Sequence, residues 1–379
     1  MSRTGYASLP LHGGKAPAWL TGRMRRLARE VSTIIIDEYG TDAFLARLSD
    51  PYWFQALGCV LGYDWHSSGI TTVVTGVLKT ALSDEEHGLV VCGGKGKTSR
   101  KTPSEITQVA EKFGFGDDKT QALTYTSRMT AKVDNTAIQA GYQLYHHAFF
   151  VAENGKWAVV QQGMSAADKT ARRYHWLSDA TKSFVVEPHS AIVCDATRST
   201  VLNMTALESE GSRKASVDLS KEPTKKLMRL AQDATPPPES HQQSLLDWLP
   251  AQPSSVGQLP FLDMPRNINW TTLSEAYEMQ PSNYEELLSV RGVGPATVRG
   301  LAPIAELVYG KEPSWKDPVK YSFAYGGKDG VHYPVNRGAM DESILILRDA
   351  VQAAKVGDKE KVRALQGLRR FVPADAKTS

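Results

Sequence analysis

Cysteine is scarce in this chain. Cys59, Cys92 and Cys194 are the only three among 379 residues, and none stands in a C-x-x-C pair. A disulfide framework and an all-cysteine zinc site are thereby excluded, and a reducing cytosol fits. Long apolar runs are also missing. No stretch reaches the ~20 residues that a helix needs to cross a bilayer. The opening residues lack the apolar core of a signal peptide, so the expectation is a cytoplasmic protein with no membrane partner. Charge of one sign is lacking too: 44 basic residues face 41 acidic ones, for a formal net charge of +3. So small an excess does not identify a nucleic-acid binder, and local clusters must carry that argument. They are Arg23-Met24-Arg25-Arg26, Lys95-Gly96-Lys97 with Arg100-Lys101, and Arg172-Arg173. A nucleotide-binding phosphate loop is missing as well. Gly96-Lys97-Thr98 has the right ending, but the first glycine of that motif falls at Val91. That stretch reads as a basic flexible loop.

What is present centres on Leu287 to Arg299. Apolar residues lead into Gly292-Val293-Gly294, and Pro295 opens an amphipathic run whose Val298, Leu301 and Ile304 share a helical face. Glycine allows a tight turn and a close backbone approach. Proline suits the first helical position, and the helix start offers unpaired amides and a positive dipole end to an anion.

Elsewhere the punctuation yields elements in order. A helix is expected over 19–39, stopped by Gly40, then another over 41–48. Asp50-Pro51 restarts helix to Leu61, and 71–82 is read as helix. Leu89 to Cys92 is a short strand, and Pro103 to Phe113 a helix with Thr102 as N-cap and Glu105 completing a capping box. Residues 121–141 are helical. Tyr145–Val151 and Trp157–Gln162 form a hairpin across Asn154-Gly155, the strongest turn signal in the chain. Arg172–Leu177 and Phe184–Val193 add strands. Residues 206–258 are polar and proline-rich and read as a linker with one helical passage at 222–231. Helical periodicity returns over 259–379, ending in helices at 341–355 and 358–371. The fold class is therefore α+β: a mixed, catalytic domain with a small sheet over 1–205, the linker over 206–258, and an all-α domain over 259–379.

Several motifs together resemble a bacterial and archaeal family, the 763 family of domains of unknown function. They are Asp64 to Gly69, Tyr142 to His147, Trp157 to Met164, Ala171 to Trp176, Pro188-His189-Ser190 and Tyr321 to Gly330. The resemblance spans nearly the whole chain and implies little about activity. The Gly-Val-Gly stretch resembles a helix-hairpin-helix motif. That implies DNA as partner, with Gly292, Val293, Gly294, Ala296, Thr297 and Arg299 at the phosphate. Other repair proteins are expected as further partners, and the local basic residues Lys95, Lys97, Arg172, Arg173 and Lys328 as added nucleic-acid contacts.

Two chemistries are open. Some proteins with this hairpin are DNA glycosylases, in which an aspartate beyond the hairpin stabilises an oxocarbenium-like sugar; that resemblance points to Asp317. The lysine that bifunctional members carry two residues after the second glycine is Ala296 here, so a lyase step needs another amine, such as Lys316, Lys320 or Lys328. Alternatively Asp64, His66, His147, His175 and His189, with Asp134 and Gln161 nearby, gather at one sheet end and hold a divalent cation for phosphodiester hydrolysis. The expected function is thus a DNA-repair-type enzyme, by base excision or as a nuclease, with a non-enzymatic DNA- or RNA-binding accessory protein as the third reading.

Overall fold

Asn154-Gly155 turns the chain as its dipeptide signal requires. Gly155 has φ +81°, and the Asn154 side chain accepts from the Lys156 amide at 2.9 Å. The hairpin it closes is the centre of the molecule. The computed structural model describes residues 18–62, 68–83, 87–167, 169–194, 197–234, 264–319 and 337–371. Five antiparallel strands make the main sheet: β1 (Leu89–Lys95), β3 (Gln143–Ala152), β4 (Trp157–Ser165), β5 (Thr170–Leu177) and β6 (Ala191–Cys194), in the order β1-β3-β4-β5-β6. A two-stranded pair, β2 (Ile138–Gln139) with β7 (Leu202–Asn203), lies outside it.

β4 is buried along nearly its whole length, because both faces of the sheet are covered. That is why its sequence runs apolar without alternating. Successive side chains leave a strand on opposite faces. On one face Ala148, Phe150, Ala158, Val160 and Val193 pack against α1 (Ala18–Ser49), α2 (Pro51–Val60), α3 (Gly69–Ala81), α11 (Arg337–Ala353) and α12 (Asp358–Phe371). On the other, Phe149, Val151, Val159, Trp176 and Ile192 meet a larger layer. It comprises α4 (Thr102–Phe113), α5 (Asp117–Thr136), α6 (Glu210–Ser220), α7 (Thr224–Asp233), α8 (Trp270–Met279), α9 (Tyr284–Ser289) and α10 (Pro295–Tyr309). Burying a side chain such as Phe149 contributes about 1.5–3 kcal/mol.

The α+β class holds, and the C-terminal region is helical. Its helices divide between the two layers: α8 to α10 share a core with Trp176, while α11 and α12 pack on the opposite face. Residues 206–234, expected as linker apart from one helical passage at 222–231, hold that passage as α7 but also form a short 3-10 turn and α6, with Leu219 and Leu227 buried. The rest of that linker, 235–258, lies outside the described residues. Two local details also differ. Thr102 starts α4 but makes no capping box, because Glu105 accepts from the Gly93 amide (2.7 Å) and the Lys79 ammonium (2.6 Å). Of the strand expected over 184–193, only its end is strand, β6.

Candidate functional site

Strand register lines up polar residues at one end of the sheet. Lys95 pairs with His146, His146 with Gln162 and Gln162 with Arg173. This row faces α1 to α3. One residue along, His147 pairs with Gln161 and Gln161 with Tyr174, facing α5.

The second row carries a connected chain of hydrogen bonds. The Ser127 hydroxyl lies 2.9 Å from His147 Nε2. His147 Nδ1 donates to Gln161 Oε1 at 2.7 Å, and Gln161 Nε2 donates to Asp134 at 2.5 Å. Asp134 also accepts from Trp176 Nε1 at 3.0 Å and from His189 Nε2 at 2.5 Å. Hydroxyl, imidazole and orienting amide thus stand in the order of an activated nucleophile. Their setting argues for structure instead. Ser127 and His147 are 3% and 5% exposed, and burial pulls His147 down to about 4, leaving a weak base. Fully partnered buried networks of this kind fix a unique core packing.

The sequence expected His147, His175 and His189 in one cluster. His147 and His189 do converge, through Gln161 and Asp134. His175 does not, because its strand position puts it on the opposite face. There its Nε2 accepts from Arg173 Nε at 2.9 Å and its Nδ1 donates to the Leu48 carbonyl at 3.0 Å. Burial, with the Arg173 charge beside it, holds His175 well below the usual imidazole range. Asp64 and His66 lie outside the described residues. No group of three or more His, Cys, Asp or Glu side chains placed to hold a metal ion occurs among the described residues.

Asp317 is not open to a groove. Its side chain is 1% exposed and pairs with the fully buried Arg172 at 2.7 Å. It also accepts from the Arg198 amide at 2.8 Å and the Val319 amide at 3.2 Å. Arg172 rests on the Tyr142 ring, 4.6 Å from its centroid. Burial opposes the Arg172 charge and the Asp317 carboxylate more than offsets it, so the guanidinium is held above its ordinary value. Asp317 is thus an internal counter-ion, and the oxocarbenium role expected for it has no open face to act through. Arg172 and Arg173, read as DNA contacts, are both fully buried. Arg173 donates to Gln55 Oε1 from both terminal nitrogens at 3.1 Å. Lys95 and Lys97 are exposed, and Lys95 Nζ sits 5.8 Å from the Tyr145 ring centroid. Lys328 lies outside the described residues.

The Gly-Val-Gly stretch links α9 to α10. Val293 is 1% exposed and pins the turn into the core, whereas Arg291, Gly292 and Pro295 face solvent. Gly292 has φ +92°, and a Cβ there would collide with Thr272 Oγ1. Gly294, the N-cap of α10, is extended, and a Cβ there would meet only the Gly292 carbonyl at 3.7 Å. Asn269 caps α8 and Asn283 caps α9, each by a side-chain oxygen. α10 has no side-chain cap, and its first-turn amides have no acceptor within the helix. Thr297 is 2% exposed, backbone included, so it offers no open contact. Arg299 is half-buried and directs Nη1 toward Gln139 Oε1 at 3.5 Å, while Gln139 donates to the Pro295 carbonyl at 2.8 Å. Arg299 therefore braces the turn rather than reaching outward. The expected phosphate set reduces to the amides at 294 and 296, both half-buried, with the exposed Arg291 added beside them.

Ser127 and Gln55 were not singled out in the sequence. For Ser127 a signal exists: it precedes Asp134 by two helical turns, at core phase among Leu123, Met129 and Val133. No curated protein and no solved structure matches the chain. A family model matches residues 5–335, and its description is protein of unknown function. Covering most of the polar sheet end and the hairpin alike, that match places the chain in the uncharacterised family DUF763.

Proposed function

We propose that this protein binds a nucleic-acid backbone, DNA in the first place, through the α9–α10 hairpin, and that it works in the cytosol. The layered sheet behind the hairpin is then a rigid platform on which further repair proteins assemble. One observation carries the reading. The start of α10 reaches the surface at Pro295, with Gly294 and Ala296 half-buried, has no side-chain cap and is flanked by the exposed Gly292 and Arg291. Amides in that arrangement favour an anion through their hydrogens and the helix dipole. Contacts of this kind position a duplex without reading its sequence. Three buried free thiols suit a reducing compartment. Base excision at Asp317 is not part of this proposal, since that carboxylate is spent on Arg172.

Gly294→Val is the informative variant. The valine fits the extended backbone and projects where a phosphate oxygen would approach. Duplex binding, followed by fluorescence anisotropy at low salt, should weaken about tenfold, equivalent to ~1.4 kcal/mol. The melting temperature should stay near that of the parent. Unchanged affinity in a folded Gly294→Val protein overturns the proposal.

A further inference from the structure

The Arg23-Met24-Arg25-Arg26 cluster is not absorbed by the hairpin. It lies in the opposite layer, on α1. Met24, Leu27, Ala28 and Val31 face the core, so Arg23, Arg26 and Arg29 follow one another at three-residue spacing along the outer side. Opposite them is the turn between α11 and α12. Ala364 and Leu368 bury the inner side of α12, which leaves Lys359 and Arg363, one turn apart, on the outer side with Lys355. These six side chains line a cleft of about 990 Å³.

Three carboxylates share the cleft: Glu30, Asp358 and Glu360. Two of them hold its walls together. Glu360 pairs with Arg26 at 3.2 Å and with Arg23 at 3.7 Å, and Glu30 accepts from the Lys355 amide at 3.0 Å. Six cations against three acids leave a local excess of three positive charges. That equals the formal net charge of the whole chain, so the cleft carries an excess that the rest of the surface balances out.

The geometry points to this cleft as a second nucleic-acid-backbone surface, independent of the hairpin. A small anion calls for an enclosed site with a few convergent polar groups. Here long, solvated arms line an open trough, as suits an extended polyanion that binds by releasing counterions. None of the cleft's lining residues is aromatic, so bases have no stacking platform and recognition rests on phosphates. Lys355, Lys359 and Arg363 lie beyond residues 5–335, so half of the cleft belongs to this chain rather than to the family match.

The test is a fourfold variant of the intact protein: Arg29→Gln, Lys355→Gln, Lys359→Gln and Arg363→Gln. All four side chains are exposed, and circular dichroism checks the fold. Binding to a single strand and to a duplex of the same sequence is followed across a salt series. Weaker binding is expected, with the slope of log affinity against log salt shallower by ~3–4 for the four cations removed, at about 0.7–0.9 for each phosphate that is no longer neutralised. The converse variant, Asp358→Asn, should tighten binding, and it guards against a fourfold variant that fails to fold. An unchanged affinity and slope in the fourfold variant overturns the assignment. So does displacement of nucleic acid by polyglutamate at equal charge, which would mark a surface for acidic protein. Gly294→Val keeps the two surfaces apart: it should leave the cleft's share of the slope intact, and failure of one variant set says nothing against the other.

Discussion

Replacing Asp317 by asparagine separates an internal counter-ion from a catalytic acid. The substitution keeps shape and one acceptor oxygen but leaves the Arg172 guanidinium charged and without its partner. Both side chains are sealed from solvent, at 0% and 1% exposure. Breaking a buried pair from one side costs about 3–5 kcal/mol. The Arg198 and Val319 amides bond to different carboxylate oxygens, so in asparagine one of them keeps only a neutral acceptor and the other faces the amide nitrogen. For a chain of this length unfolding as one unit, 4 kcal/mol corresponds to roughly 5 °C, at about 2.1 cal/mol/K per residue. Urea denaturation and calorimetry read the change. Removing both charges, with Arg172→Met and Asp317→Leu, should recover much of the loss, because the uncompensated charge rather than the missing bond is what costs. A fully stable Asp317→Asn protein would refute this reasoning. If that protein also lost a base-releasing activity, the carboxylate would be a catalytic group after all.

The buried imidazoles make stability depend on pH. Burial lowers His147 to about 4 and His146 to about 3, and it lowers His175 as well. The unfolded chain binds protons near 6.5 that the folded protein refuses. This stabilisation is therefore whole above pH 6.5 and is lost as pH falls toward 4, with His147 alone contributing on the order of 3 kcal/mol. Denaturant midpoints that stay level from pH 7 to pH 4.5 would contradict it. Gly292→Ala should destabilise the hairpin, through both the left-handed backbone and the collision with Thr272, by about 1–3 kcal/mol. Gly294→Ala should cost less than about 1 kcal/mol. Thermal melts compare the two, and equal losses would mean that the turn is drawn wrongly.

Much of the fold was legible because its signals are local. Gly40 kinks α1 where the sequence stops the helix, Asp50 caps α2 ahead of Pro51, and Asn154-Gly155 closes the central hairpin. α6 was hidden by its composition. Ser212, Ser216 and Ser220 recur every fourth residue and look solvent-facing, yet all are buried. Ser216 and Ser220 return their hydroxyls to their own helix's carbonyls, at 2.8 and 2.7 Å. Small, internally satisfied side chains there let α6 pack against α10, and hydropathy does not register such a face. The site was legible only in part. Opposite facing of His146 and His147 follows from strand alternation. The same alternation places His175 with Arg173 and away from Trp176, but which helices cover each face depends on long-range topology. Arg172-Arg173 reads as a basic patch because burial of a charge shows only once its partners, Asp317 and Gln55, are brought in from distant sequence.

The central claim is that amides at the start of α10 hold a phosphate. Selective 15N labelling of glycine, with duplex DNA titrated at low salt, tests it most directly. The Gly292 and Gly294 resonances should move early and saturably, and added salt should reverse the shift. If both stay in place while resonances elsewhere respond, the hairpin is not where this protein meets nucleic acid.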